Sequence, residues 1–498
     1  MMDNFRLLKT LKLQSFILFI LSLGTFVIPL IYSIFVEDGL YMGYLTPIFL
    51  TFSIYIIFRI LNTNYFYKLF RLKKQNNIPF PNNKDALYIS VSVWFIFPLF
   101  VALCYVLTGS IDDFISAYFE AVSGFTTTGA SILTDIEALP KSVLLLRDLT
   151  NWIGGLGFAI FVISFSSIAP SVSKTLIKFE APKVIEEGIA PKVKQITVII
   201  FSVYLTLSLI ETILLLISGL DLYDAVNFTF STIATGGFAP KNASAGAFDN
   251  PLAEIIISVF MIFGAINLQL YYKVYKEKSI FKFFKDEEVR LYLLIILFSV
   301  LISAFILYYN NYYNSFLESL RYALFQIVSA ATTTGFSTTD YEGWHPFILS
   351  LIMILALIGA VGGSTGGGIK IFRVIFIYRA IYGEIRKLFH ERMIYKIQLK
   401  GKTLDNSIIN AFWTFLSLYI ISLILFGMIL TLNGHDIITS FSASVACITS
   451  LGPGLGDVGP ADNFSCFNDF EKLLLSFEMI FGRLEIIPVI ALLFLKDV

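Results

Sequence analysis

Phe125-Thr126-Thr127-Thr128-Gly129, Ile233-Ala234-Thr235-Gly236-Gly237-Phe238, Ala331-Thr332-Thr333-Thr334-Gly335-Phe336 and Thr449-Ser450-Leu451-Gly452-Pro453-Gly454 read as four versions of one turn. Each follows an apolar stretch too short to cross a bilayer and precedes a longer hydrophobic run. Counted on Gly129, Gly236, Gly335 and Gly452, the steps are 107, 99 and 117 residues. One unit of helix, turn and helix is therefore repeated four times, and four such units can surround a common axis.

The surrounding sequence is that of an integral membrane protein. Of 498 residues, 56% are hydrophobic and 14% charged, and the mean hydropathy is +0.78, outside the range of soluble domains. Apolar runs such as 196–217 show no two-residue alternation, so the spans read as helices rather than barrel strands. The formal charge is zero, which gives no attraction to nucleic acid. Cys104, Cys447 and Cys466 have no metal-ligand spacing and read as unpaired thiols, although Cys447 and Cys466 could pair on one face. His345, His390 and His435 are scattered, so metal catalysis has no support and the chain does not read as an enzyme.

The run 13–36 is too long for a signal-peptide core and reads as a retained first span. With a second span at 41–60 and a basic loop, it forms an N-terminal unit, 1–86. The repeats then occupy 87–168, 193–272, 290–380 and 407–498, each built as outer helix, short helix with turn, and inner helix. The fold class is thus all-α, with about ten spans. Placing both termini in the cytoplasm puts 30 of the 36 lysines and arginines in cytoplasmic segments, as the positive-inside rule requires. All four turns then enter from outside.

Non-helical backbone at membrane depth must be shielded by protein or line a water-filled path. Four breaks at equivalent positions point to one shared path. A lone Thr-Gly turn is ordinarily a helix C-cap; four in register are better read as carbonyl rings that replace the water shell of a monovalent cation. Each short helix directs its partially negative C-terminus at its turn, which favours a cation there. Asp112, Asp113, Asp135, Asp221, Asp224, Asp340, Glu342, Asp436 and Asp457 lie in the outer segments. Singly they are loop acids, and together they would concentrate cations at the mouth.

Two features are not repeated. The inner helix of repeat three stops after 347–358 and runs into Gly359-Ala360-Val361-Gly362-Gly363-Ser364-Thr365-Gly366-Gly367-Gly368. This segment reads as a flexible plug at mid-membrane, as a cytoplasmic loop entered early, or as a packing bend. Ile369 in place of Lys removes the phosphate-loop reading. Arg483, deep in the last span, either faces the path as a positive barrier or pairs with Glu485. Glu211 has no partner visible in the sequence. In NWIGGLGF (151–158) the glycines read as helix-packing positions, and Trp152 as a packing residue or an interfacial anchor.

SGFTTTGAS, STIATGGFAP, SAATTTGFST and ITSLGPGLG, supported by NWIGGLGF, GGSTGGGIKI and FGRLEIIPV, resemble the four filter segments and flanking motifs of the Trk/Ktr/HKT superfamily of potassium transporters. The resemblance covers 87–495, and the N-terminal pair makes it more similar to the TrkH/TrkG branch than to the shorter KtrB one. It implies a channel-like potassium uptake subunit of the cytoplasmic membrane, with K+ as the transported ion and no bound cofactor. The filter glycines carried over are Gly129, Gly236, Gly335 and Gly452. The coordinating carbonyls are those of Thr127 and Thr128, Ala234 and Thr235, Thr333 and Thr334, and Ser450 and Leu451. A serine at the first filter position accompanies sodium transport in the plant branch, so Gly129 favours potassium.

The resemblance also makes Gly362, Gly363, Ser364, Thr365, Gly366, Gly367 and Gly368 an intramembrane gate, and it places Arg483 in the path. It implies a homodimer and a separate cytosolic, ring-forming nucleotide-binding subunit of the TrkA kind. That subunit would dock on the basic segment 370–402, whose charge anionic lipid would equally explain. The alternative class is a sodium- or proton-coupled secondary transporter, which ordinarily has two broken helices in inverted halves. Four breaks of one orientation argue against it.

Overall fold

The computed structural model describes residues 4–62, 83–168, 193–279, 281–390, 393, 395–399 and 402–493. The basic loops 63–82 and 169–192, which carry much of the charge asymmetry, and Arg392 and Lys400 of the segment 370–402 lie outside the described residues.

An N-terminal pair, Asn4–Val36 and Tyr41–Leu61, packs beside repeat one. The four outer helices are Asn83–Leu107, Val193–Ile217, Glu287–Tyr309 and Asn406–Leu432. Their short companions, Phe114–Phe125, Leu222–Ala234, Phe316–Thr332 and Ile437–Thr449, have 12, 13, 17 and 13 residues. At 1.5 Å per residue none of them reaches across a ~30 Å hydrocarbon core. Among the described residues, six helices are long and apolar enough to cross by themselves, and a seventh candidate is a bent pair.

Each short helix begins at a side-chain cap: Asp113 to the Ser116 N–H (2.7 Å), Asp221 to Asp224 (2.7 Å), Ser315 to Glu318 (3.1 Å) and Asp436 to Ile438 (2.9 Å) and Thr439 (3.1 Å). Three of the acids read as attractors at the mouth are thus spent on orphan N–H groups at helix starts. The Thr439 hydroxyl and the backbone N–H groups of Thr439 and Ile438 hold the Asp436 carboxyl below its ordinary range.

The inner helix of repeat one, Lys141–Ile168, is continuous. In repeat two it divides into Pro251–Gly264 and Leu268–Glu277, bent by 92°. In repeat three it divides into Pro346–Ile358 and Ile371–Phe389, and in repeat four into Asp469–Arg483 and Ile487–Leu493. The reading of a single broken inner helix is therefore corrected to three. A two-stranded hairpin, Gln398–Leu399 with Lys402–Thr403, follows repeat three.

One apolar core joins the N-terminal pair, repeat one and repeat four, and a second joins repeats two and three. Leu451, at the turn of repeat four, belongs to the second core, so the turns sit where the two meet. Cys104 and Cys447 are buried and Cys466 is exposed, all as free thiols.

Candidate functional site

The four turns share one backbone. Thr127, Thr235, Thr333 and Ser450 are left-handed, with φ of 55°, 53°, 56° and 57°. Their N–H groups bond back to Gly124 (3.1 Å), Thr232 (2.9 Å), Ala330 (3.1 Å) and Cys447 (3.3 Å). The next N–H in each turn reaches the carbonyl five residues back: Thr128 to Ser123 (2.9 Å), Gly236 to Ser231 (2.8 Å), Thr334 to Ser329 (2.9 Å) and Leu451 to Ala446 (2.9 Å). Locally this is the familiar helix C-cap, except that non-glycine residues hold a conformation costing about 1–2 kcal/mol each. Strain of this kind persists where surrounding structure enforces it, and it gathers at functional sites.

Two residues beyond each left-handed residue stands a glycine with positive φ: Gly129 (81°), Gly237 (78°), Gly335 (85°) and Gly452 (98°). A Cβ on Gly129 would strike the Gly236 carbonyl oxygen, one on Gly237 that of Thr334, one on Gly335 that of Leu451, and one on Gly452 that of Thr128. The chain of contacts returns to its start, so the four turns close into a ring. This circuit also sets the register. The residue of repeat two equivalent to Gly129 is Gly237, and the pair equivalent to Thr127 and Thr128 is Thr235 and Gly236. The sequence-based assignment of Ala234, Thr235 and Gly236 is one residue early, because either of two consecutive glycines completes a Thr-Gly pattern.

The ring separates two cavities. On one side a cavity of about 150 Å³ is lined by Gly129, Gly237, Gly335 and Gly452, with Arg147, Lys241 and Asp462 on its wall. On the other a cavity of about 110 Å³ is lined by Ser450, the segment 363–368, Lys370 and Arg483. Of the predicted acids, Glu342 accepts from the Gly456 N–H (2.6 Å), tying the loop after turn three to that after turn four. Burial, reinforced by nearby Asp340, Asp462 and Asp457, pushes its carboxyl above the ordinary range.

Directly beneath the ring lies the break of repeat three. Thr365 Oγ1 is 3.0 Å from the carbonyl oxygens of both Ile233 and Gly264 and 3.2 Å from Thr235 Oγ1. The Gly367 N–H donates to Thr333 Oγ1 (2.7 Å). A Cβ on Gly366 would lie 2.8 Å from the Thr332 oxygen, and one on Gly367 would strike that of Thr449. The glycine-rich segment therefore seats against the turns of repeats two, three and four, so the reading of a cytoplasmic loop falls away, and a plug and a packing bend both fit these contacts.

Arg483 donates to the carbonyls of Thr365 (2.8 Å) and Gly154 (3.0 Å). Glu485 is held by Arg373 at 2.5 Å, with Arg373 also stacked 3.8 Å from the Phe415 ring. Lys370 donates to the Gly366 carbonyl, inside the same segment. Of the NWIGGLGF glycines, Gly154 is pressed against the Phe125 carbonyl, and Gly264 and Gly482 meet Ile233 and Ile448 in the same way. Trp152 donates to Ser208 (3.0 Å) and packs on Tyr204 and Phe230, a packing role. Glu211 is fully buried facing Thr232.

Sequence reasoning missed the support behind the ring. Arg147 and Glu120, 2% and 0% exposed, pair at 2.6 Å. Glu120 also accepts from Ser131 Oγ and the Ile132 N–H, both at 3.0 Å, while Arg147 reaches the Ala239 carbonyl (3.0 Å) and lies 3.6 Å from the Phe238 ring. The pair thus binds the chain leaving turn one to the chain leaving turn two. Its only sequence signal is an arginine inside an apolar run. Arg147→Met strands a buried carboxylate and is expected to cost about 3–5 kcal/mol, read as a lowered thermal midpoint in detergent. Glu120→Gln in the same chain should restore part of the loss.

A profile of the TrkH family, described as cation transport protein, matches residues 51–497. The Trk system potassium uptake protein TrkH of Salmonella typhimurium is 31% identical over 412 residues, covering 82% of this chain and 85% of that protein. The TrkH of Halomonas elongata is 28% identical over 484 residues, 97% of each chain. The crystal structure of the potassium transporter TrkH from Vibrio parahaemolyticus superposes with a TM-score of 0.85 at 28% identity, covering 99% of both chains. The four-turn ring with its broken inner helices is therefore set in a chain that belongs to the TrkH family of cation transport proteins.

Proposed function

We propose that this chain takes potassium into the cell along the axis of the four-turn ring. The observation that carries the reading is the closed circuit of glycine and carbonyl contacts lying between two cavities. Carbonyls of Thr127 and Thr128, Thr235 and Gly236, Thr333 and Thr334, and Ser450 and Leu451 replace the ion's water shell. The short helices add their negative ends from four sides. The segment Gly362–Gly368 and Arg483 form the gate on the inner side, with both termini in the cytoplasm.

Relatives of this chain carry the name of a Trk system. A second copy of the chain and a cytosolic nucleotide-binding protein of the TrkA kind are its proposed partners, with anionic lipid at the basic segments. Purified protein in liposomes should pass potassium and rubidium in preference to sodium. Equal flux of sodium would contradict the reading. Full flux from the membrane subunit alone would remove the regulatory partner and leave the filter standing.

A further inference from the structure

Repeat two departs from the pattern of repeats one and three at two side-chain positions, and repeat one fills the space at one of them. Between the left-handed residue and the ring glycine, repeats one, three and four carry Thr128, Thr334 and Leu451, whereas repeat two carries Gly236. In repeats one and three that side chain is tied to the end of its own short helix. Thr128 Oγ1 lies 2.8 Å from Thr126 Oγ1, and Thr334 Oγ1 lies 2.7 Å from Thr332 Oγ1. Thr126 and Thr332 in turn donate to Val122 (2.7 Å) and Val328 (2.8 Å). Repeat two has neither half of this tether, since Gly236 has no side chain and Ala234, in the place of Thr126, has no hydroxyl.

Asn151, from the inner helix of repeat one, occupies the vacancy. A Cβ on Gly236 would lie 2.5 Å from its Cγ, 2.6 Å from Nδ2 and 2.8 Å from Oδ1, the three nearest atoms. Asn151 is fully buried, and Nδ2 donates to Ser231 Oγ (3.2 Å). The carbonyl of that same Ser231 holds the Gly236 N–H at 2.8 Å. The amide therefore grips the short helix at the residue that anchors the turn, and its bulk backs the turn itself. Gly236 also presents its carbonyl to Gly129 in the ring, so a shift of this backbone is a shift of one ring oxygen.

We propose that Asn151 is a positioning residue that determines ion selectivity, standing in for the absent side chain of repeat two and holding the Gly236 carbonyl at the radius set by the other three turns. The proposal rests on the ring being the ion filter. Its test is the potassium-to-sodium flux ratio in liposomes for Asn151→Ala, Gly236→Ala and the double variant, with Gly129→Ser as a control on the ring itself. Asn151→Ala should lower the ratio about two- to tenfold, the range expected for loss of one side-chain hydrogen bond with its packing. Gly236→Ala should lower it too, because the new methyl displaces Asn151.

The double variant should discriminate better than either single one, since the methyl then enters space that Asn151 has left. A folding defect shared by the singles would not reverse in this way. If Asn151→Ala gives no folded protein, Asn151→Ser is carried through the same cycle. An unchanged ratio in the Asn151 variant while Gly129→Ser lowers it would overturn the proposal, as would a double variant no better than Gly236→Ala. An unchanged ratio in Gly129→Ser as well would instead overturn the filter reading.

Discussion

Arg483→Ala is expected to raise potassium flux by about thirtyfold. The direction follows from Coulomb's law, since a unit positive charge on the wall of the cavity beneath the ring raises the barrier for a cation, and an increment of about 2 kcal/mol corresponds to about thirtyfold in rate. The guanidinium is placed for this effect because it reaches Thr365 in the segment beneath the ring and Gly154 across the cavity. Losing those two bonds also frees the segment, so both consequences of the substitution act in one direction. Arg483→Lys separates them. It keeps the charge and loses the planar fork that reaches two carbonyls, and flux should rise less than in the alanine variant. Folded Arg483→Ala protein with unchanged flux would remove Arg483 from the gate.

Gly237→Ala should abolish selective flux, and it should do so more completely than Gly236→Ala. At Gly237 an added Cβ strikes a backbone oxygen of the next turn, and the residue must keep a φ of 78°. A left-handed alanine costs about 1–2 kcal/mol before the collision is counted, and the neighbouring backbone cannot swing aside as a side chain can. At Gly236 the obstacle is the Asn151 side chain, and no left-handed φ is required. The comparison is a direct test of register. Equal loss from the two substitutions would contradict the one-residue shift, and a more severe Gly236→Ala would restore the sequence-based assignment. The measurement is the potassium and sodium flux of monodisperse protein in liposomes.

The four turns were legible because each is local, with the signal lying in five or six consecutive residues. The register of turn two was not, because Gly236-Gly237 satisfies the pattern twice and only contact with Gly129 and Thr334 decides between them. The break after Ile358 announces itself through glycines. Those at 265–267 and 484–486 contain no glycine, and in the last the turn is made by left-handed Glu485 and Ile486, residues that ordinarily continue a helix or strand. Asp113, Asp221 and Asp436 each stand immediately before a short helix, a capping signal that local rules do contain. Charge sign alone places them at the mouth and hides that role. The Glu120–Arg147 pair and the seat of Asn151 join residues of different elements, and no local pattern encodes those contacts.

Potassium binding at the ring is the central claim, and rubidium can report it directly. Crystals of the protein grown in rubidium should give anomalous density on the ring axis, surrounded by the carbonyl oxygens of Thr128, Gly236, Thr334 and Leu451. Rubidium density confined to positions away from those four oxygens would contradict the account.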